Sequence, residues 1–204
     1  MRFILSLTIA SSLLLVGCAG SLLPTPQPAP QQWLLKRLPS PTTLLATLPS
    51  APGVFLAIER PTAPTPLRGR EIWYRSNQYQ LAPFGEQVWA ESLDQQIQQQ
   101  LSDYLSQQPW LETSLPDQPG YRSAYRLRIT LQEWYLNIDN QQLDIALQVN
   151  LLDAKGQNVL QRQWTAKPNV NPLTPAAMLE ASQAWLEIWA EELALLLHEQ
   201  LKTP

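Results

Sequence analysis

Along the second half of the chain, apolar and polar residues alternate over long stretches. Tyr125, Leu127, Ile129 and Leu131 interleave with Arg126, Arg128, Thr130 and Gln132, the period-two signature of a strand with one buried face. At Glu133-Trp134 the phase reverses, and Trp134, Leu136 and Ile138 carry the apolar set onward. One extra residue in the strand, a bulge, accounts for the reversal. After Asp139-Asn140, Leu143, Ile145, Leu147, Val149 and Leu151 alternate cleanly, and Asp153-Ala154-Lys155-Gly156 turns the chain into a third strand from Val159 to Ala166. Three consecutive strands of this kind predict an antiparallel meander with one wet face.

The period lengthens in two places. Trp89, Leu93, Ile97, Leu101, Tyr104 and Leu105 recur every three or four residues, predicting a helix from about Glu86 to Gln107 that Pro109 stops. Its opposite face carries Gln95, Gln98 and Gln99 and reads as solvated. A second helix opens with Thr174 as N-cap and Pro175 at the first helical position and runs to about Leu201. Leu179, Trp185, Leu186, Ile188, Trp189, Leu193, Leu196 and Leu197 give it a wide apolar face, against a stripe of Glu180, Gln183, Glu187 and Glu191. A membrane-surface helix favours Lys and Arg on its polar side, so the acidic stripe points to burial on the sheet. His198 and Lys202 close this helix, and His198 is expected at the surface.

The first half is more broken. Gly53 to Ile58 is a strand candidate, and Glu71-Ile72-Trp73-Tyr74-Arg75 with Tyr79-Gln80-Leu81 predicts a hairpin around Ser76-Asn77. Trp73 falls on the strand face opposite Ile72 and Tyr74, which makes Trp73, Tyr74 and Arg75 the candidate partner-binding residues. Pro24, Pro26, Pro28 and Pro30 stand at alternate positions, a pattern that blocks helix and favours polyproline II, with a reach of roughly 40 Å at most. The expected fold class is α/β of the α+β type. It is a single small domain over residues 32–204, with a mixed, largely antiparallel sheet and two amphipathic helices packed on it.

Composition adds exclusions. The chain has 204 residues, a net charge of −3, one cysteine, one histidine, 19 prolines and eight tryptophans. That is room for one domain with a real core. A mildly acidic chain without a Lys/Arg block is a poor nucleic-acid binder. One cysteine and one histidine leave no disulfide framework and no Cys- or His-rich metal site. Residues 1–17 read as a secretory signal, with Arg2 ahead of an apolar run from Phe3 to Val16. The run ends Leu15-Val16-Gly17-Cys18-Ala19, which resembles a bacterial lipobox. By that resemblance Cys18 is the lipidation site, acylated on its thiol and, after cleavage, on its amine, in the manner of palmitate-bearing lipoproteins. Several acyl chains hold a protein on a membrane where one does so only marginally. By resemblance to enterobacterial lipoprotein sorting rules, Ala19 rather than Asp after Cys18 favours the outer membrane. Residues 18–31 then form the acylated N-terminus and Pro-rich linker.

Catalytic chemistry does not emerge. No G-x-S-x-G surrounds a serine, and no glycine loop is built to cradle phosphate. Asp139, Asp144 and Asp153 flank turns, where Asp is a common turn former. No catalytic residues, cofactor or metal are therefore expected. Of the tryptophans, Trp89, Trp185 and Trp189 read as core.

Gln32-Trp33-Leu34-Leu35, Pro66 to Arg75, the Tyr79/Leu81 strand and Trp89-Ala90-Glu91-Ser92-Leu93 follow the lipobox in an order that resembles the ABC-type transport auxiliary lipoprotein family, which includes the lipoprotein of the paraquat-inducible operon. The resemblance spans about residues 32 to 200. It implies a small α/β domain and a non-catalytic periplasmic lipoprotein. Its partners would be a mammalian-cell-entry (MCE) domain protein with its permease and ATPase, which move lipid between the two membranes. Self-association is left open. A second reading is an outer-membrane lipoprotein that activates a peptidoglycan synthase, for which a thirteen-residue spacer is short. A third, a lipid hydrolase, lacks a nucleophile–base pair.

Overall fold

The computed structural model describes residues 29–49 and 54–201. The expected signal peptide, Cys18 and most of the expected Pro-rich linker lie outside the described residues. Eight strands form one mixed sheet: β1 (Gln31–Trp33), β2 (Phe55–Ile58), β3 (Glu71–Asn77), β4 (Gln80–Trp89), β5 (Thr113–Pro116), β6 (Tyr125–Asn137), β7 (Gln142–Asp153) and β8 (Asn158–Ala166). Two long helices, α1 (Leu93–Leu105) and α2 (Pro175–Leu201), pack on it. The α+β single domain expected from the pattern is therefore the fold found.

β6 is the spine of the sheet. Along one edge it pairs antiparallel with β7 from Tyr125–Asp153 to Asn137–Gln142. Along the other it is shared: β2 runs parallel to its first residues, and β3 runs parallel to Leu136 and Asn137. The phase reversal in the sequence corresponds to a register shift between Leu131 and Glu133. That bulge keeps Leu127, Ile129 and Leu131 on the same buried side as Trp134 and Leu136. The β7–β8 turn closes as expected: Asp153 Oδ1 accepts from the Lys155 and Gln157 amides at 2.9 and 2.8 Å, and Gly156 takes φ 78°.

The first helix starts later than its periodicity predicts. Glu86 to Trp89 belong to β4, because β1 and β3 claim their backbone: Gln87, Val88 and Trp89 pair with Gln31, Gln32 and Trp33, and the Trp89 amide donates to Arg70 O at 2.6 Å. Trp89 is core, as expected, but from a strand. A spacing of four between Trp89 and Leu93 fits a strand end followed by a helix start as well as one helix. The hairpin turn also sits two residues later, at Gln78-Tyr79, since β3 extends to Asn77. Pro83 is tolerated in β4 because β1 pairs only near residues 87–89, leaving the amide side at Pro83 without a strand.

The glutamines of α1 do more than face water. Gln95 and Gln99 are exposed. Gln98, half-buried, donates to Ile58 O at 2.8 Å. Gln96 and Gln100, which the pattern did not single out, accept from the amides of Leu35 and Leu38 at 2.8 and 2.9 Å. They strap the extended segment after β1 across the helix, with Leu35 and Leu38 driven into the core. Short polar pockets of this kind satisfy backbone groups that have no ladder to join.

α1 is fixed at its start by Arg60, whose Nε donates to Asp94 Oδ2 at 2.6 Å and Nη2 to Ser92 Oγ at 2.9 Å. Burial alone would raise the Asp94 carboxyl, but hydrogen bonds and charge from Arg60, with Ser92 and the Gln95 amide, hold it below its ordinary value. A lowered carboxylate contributes stability above its unfolded value near 4 and loses it as pH falls through the lower folded value. Asp94→Asn is therefore expected to cost about 1 kcal/mol at pH 7, with the difference from the parent shrinking below pH 4. Urea melts at pH 7 and pH 3 check it.

α2 begins where expected: the Ala177 amide donates to Thr174 Oγ1 at 3.3 Å. Met178, Leu186, Trp189, Leu193 and Leu197 are buried against the sheet and α1. Its apolar face is wider than the sheet can cover, and Ile188 remains 61% exposed while Trp185 is half-buried. His198 is not at the surface. It is 2% exposed, 3.4 Å from Pro49 O through Nε2, with its ring 5.4 Å from that of the buried Trp110. Its place four residues after Ala194 and three before Leu201, both buried, was the signal for this.

Candidate functional site

Trp73, Tyr74 and Arg75 all lie on β3, and strand alternation divides them. Tyr74 stands opposite Leu136 on the helix-covered side, its ring 4.7 Å from that of Phe84. Trp73 and Arg75 share the other face, across from Pro83 and Leu81 of β4. Trp73 is half-buried, and its indole N–H has no acceptor among the described residues. Beyond them the hairpin tip holds Tyr79 at 88% exposure and Leu81 at 40%.

Arg75 is the hub of this outer face. β3 ends beside the last residues of β6, so its guanidinium reaches Tyr135, lying 4.4 Å from the ring centroid and donating to the phenol oxygen. It is also 3.6 Å from Glu133 Oε1 and from Asp144 Oδ2. Asp144, 2% exposed, accepts from Asn137 Nδ2 at 2.9 Å through the same Oδ2, while its Oδ1 has no hydrogen-bond partner among the described residues. One cation thus faces two carboxylates. Burial, then the hydrogen bond and charge of Glu133, push the Tyr135 phenol far above its ordinary value, with Arg75 pulling the other way. A phenol held protonated in this way is no base near neutral pH.

Around the guanidinium, Asn77, Gln78, Asn137, Asp139 and Asn140 complete an open polar cup of about 290 Å³. These amides come from the β3–β4 and β6–β7 turns, which the topology sets side by side. The cup offers amide donors and acceptors around one guanidinium, groups that can hold a polar ligand by hydrogen bonds. Asp144, read in the sequence as a turn former, is instead the buried anion of this face; its signal was an Asp within an apolar alternation, opposite Tyr135.

The opposite face of the sheet holds the aromatic supply. Trp134, whose Nε1 donates to Ser182 Oγ at 3.1 Å, meets Trp185 edge-on; Trp185 stacks on Trp189 at 5.5 Å and 10°, and Trp189 meets Trp164 edge-on. Trp134 and Trp189 are fully buried core. Among the described residues no group of three or more His, Cys, Asp or Glu side chains is arranged to hold a metal. No described helix is long and apolar enough to cross a membrane.

Comparison with known proteins supplies what geometry does not. The family model described as the ABC-type transport auxiliary lipoprotein component matches residues 37–194. Among solved structures, the chain is similar to the Xanthomonas campestris protein XCC0632 of the family DUF330, with 16% identity over 85% of this chain and 99% of that one and a TM-score of 0.70. A second, described as an uncharacterized protein, shows 20% identity over 82% of this chain and 99% of its own, with a TM-score of 0.62. Both likenesses are of fold. No curated protein sequence matches the chain.

Proposed function

This chain belongs to the ABC-type transport auxiliary lipoprotein family, and on that premise we propose that it is a non-catalytic docking component of an intermembrane lipid transport system, anchored in the outer membrane through Cys18 and facing the periplasm. The family match over residues 37–194 carries the reading, since it makes the protein an auxiliary lipoprotein of an ABC transport system. The finer steps rest on the sequence. Leu15-Val16-Gly17-Cys18 supplies the acylation site, Ala19 favours the outer membrane, and the proline spacer keeps the domain within roughly 40 Å of the bilayer. From there the domain docks the distal end of an MCE-domain protein whose permease and ATPase sit in the inner membrane. The Trp73/Arg75 face, with an outward hairpin tip and no catalytic pair, is suited to holding a partner.

Cys18→Ala removes every acyl chain and with it the membrane affinity that those chains provide. The variant, left with neither acyl chains nor the cleavage that the lipobox directs, is expected to leave the outer-membrane fraction, with lipid transport between the membranes lost. A variant that still sediments with outer membrane and still supports transport overturns the anchoring. Copurification of the detergent-extracted lipoprotein with a permease, an ATPase and an MCE-domain protein tests the partner; their absence from the complex overturns it.

A further inference from the structure

We propose that the free edge of β8 is a strand-addition site for an extended segment of a partner protein whose α2-facing residues, every second one, are apolar with a Lys or Arg among them. The sheet has three ends among the described residues. Two are short: β1 has three residues, and β5 has four and closes on Pro116. β8 differs. It is nine residues long, Asn158-Val159-Leu160-Gln161-Arg162-Gln163-Trp164-Thr165-Ala166, and contains no proline. It pairs with β7 alone, and no described backbone group bonds to its outer edge. Proteins usually blunt such an edge with proline, lysine, a central bulge or a covering loop. Here the one charge is Arg162, and the register shift lies at the strand's beginning, between Leu151 and Leu152.

What lies beneath the edge gives the added strand its sequence. Leu160, Arg162, Trp164 and Ala166 stand opposite Leu151, Val149, Leu147 and Ile145, so they face α2. Between this row and the helix runs a groove of about 510 Å³, with Trp164, Leu195 and Leu196 among its lining, the carboxylates of Glu192 and Glu199 in its wall and the Arg162 side chain at its strand side. A strand paired to β8 lies about 4.8 Å farther out and drops every second side chain toward that groove. Main-chain hydrogen bonds supply affinity and the alternate pockets supply selectivity. The charge of the occupant follows from α2. Glu192 takes the Trp164 indole N–H at 3.1 Å, and neither Glu192 nor Glu199 joins any ion pair of the described residues. With two carboxylates two helical turns apart against the one guanidinium of Arg162, the groove is net negative, and a Lys or Arg on the incoming strand complements it. For the identity of its partner this inference rests on the docking role proposed above; the edge itself is tested without it.

The probe is a dansyl-labelled ten-residue peptide in which Thr alternates with a residue that is Val and Lys by turns (Thr-Val-Thr-Lys repeated), so that Val and Lys share one face; it is titrated into the full lipoprotein held in phosphatidylcholine nanodiscs, with empty discs as blank. Expected are saturable binding and slowed hydrogen exchange at residues 158–166. Affinity should fall roughly ten-fold or more for the same peptide with Glu in place of Lys and for the parent peptide with alternate N-methylated amides. Glu192→Lys with Glu199→Lys should reverse the charge preference while leaving the thermal transition in place. Equal binding of the N-methylated peptide, or no binding of the parent, overturns the proposal. So does protection of residues 158–166 that grows with protein concentration alone, which makes a second copy the occupant. Cys18→Ala fractionation is unaffected by any of these results, so failure here and failure of the anchoring are read separately.

Discussion

Trp134→Ala is expected to lower the unfolding free energy by about 4 kcal/mol, a large part of the roughly 5–15 kcal/mol that holds an ordinary domain together. The indole is 1% exposed at the bulged centre of β6 and edge-on to Trp185. Its removal opens a cavity that neighbouring Trp and Leu side chains cannot fill without leaving their own contacts. It also strips the hydroxyl of Ser182, 0% exposed, of its 3.1 Å partner. Trp134→Phe keeps much of the apolar area and should cost about half as much. Ile188→Ala, at an exposed position of the same layer's helix, should stay within about 0.5 kcal/mol. Urea midpoints of the three variants at constant slope check the ordering; a Trp134→Ala midpoint equal to that of Ile188→Ala refutes it.

The second large effect concerns the outer face. Arg75→Met keeps an unbranched apolar side chain but withdraws the guanidinium from the Tyr135 ring and from Asp144, leaving a 2% exposed carboxylate with Asn137 as its remaining partner. An uncompensated buried charge costs about 3 kcal/mol or more. Arg75→Met with Asp144→Asn removes cation and anion together, so the double variant should recover much of the loss, with a coupling of at least about 1 kcal/mol. An additive cycle shows that the pair does not interact. Because Trp73 shares this face, the same variants read out whether docking depends on it: the single variant perturbs the Arg75 face, and the double variant restores stability without restoring the charge.

Much of the fold was legible in the sequence because the β6–β7–β8 meander and α2 are long enough for one period to dominate. The Glu133 phase change predicted the bulge, and Thr174-Pro175 fixed where α2 begins. Short elements were less legible. Trp89 and Leu93 satisfy both a helix and a strand-to-helix junction, and the choice went to β4 because β1 and β3 were there to pair with it. The glutamines of α1 look alike in sequence; which of them binds the 33–38 segment depends on where that segment crosses the helix. The Trp73, Tyr74 and Arg75 run was recognisable as a strand with opposed faces, but the carboxylates gathered around Arg75 come from Glu133 and Asp144, 58 and 69 residues away.

By itself the sequence determined the single α+β domain, the meander and the apolar face of α2. These are local or periodic properties, written in the order of neighbouring side chains. The tertiary structure alone decided that His198 is buried against Trp110, that Asp144 is an anion facing Arg75, and that β8 is the long edge left without a neighbour. Each of those depends on which distant segments meet. Burial, charge pairing and edge exposure are set by the partners that packing brings within a few ångströms, and residue order alone does not specify them.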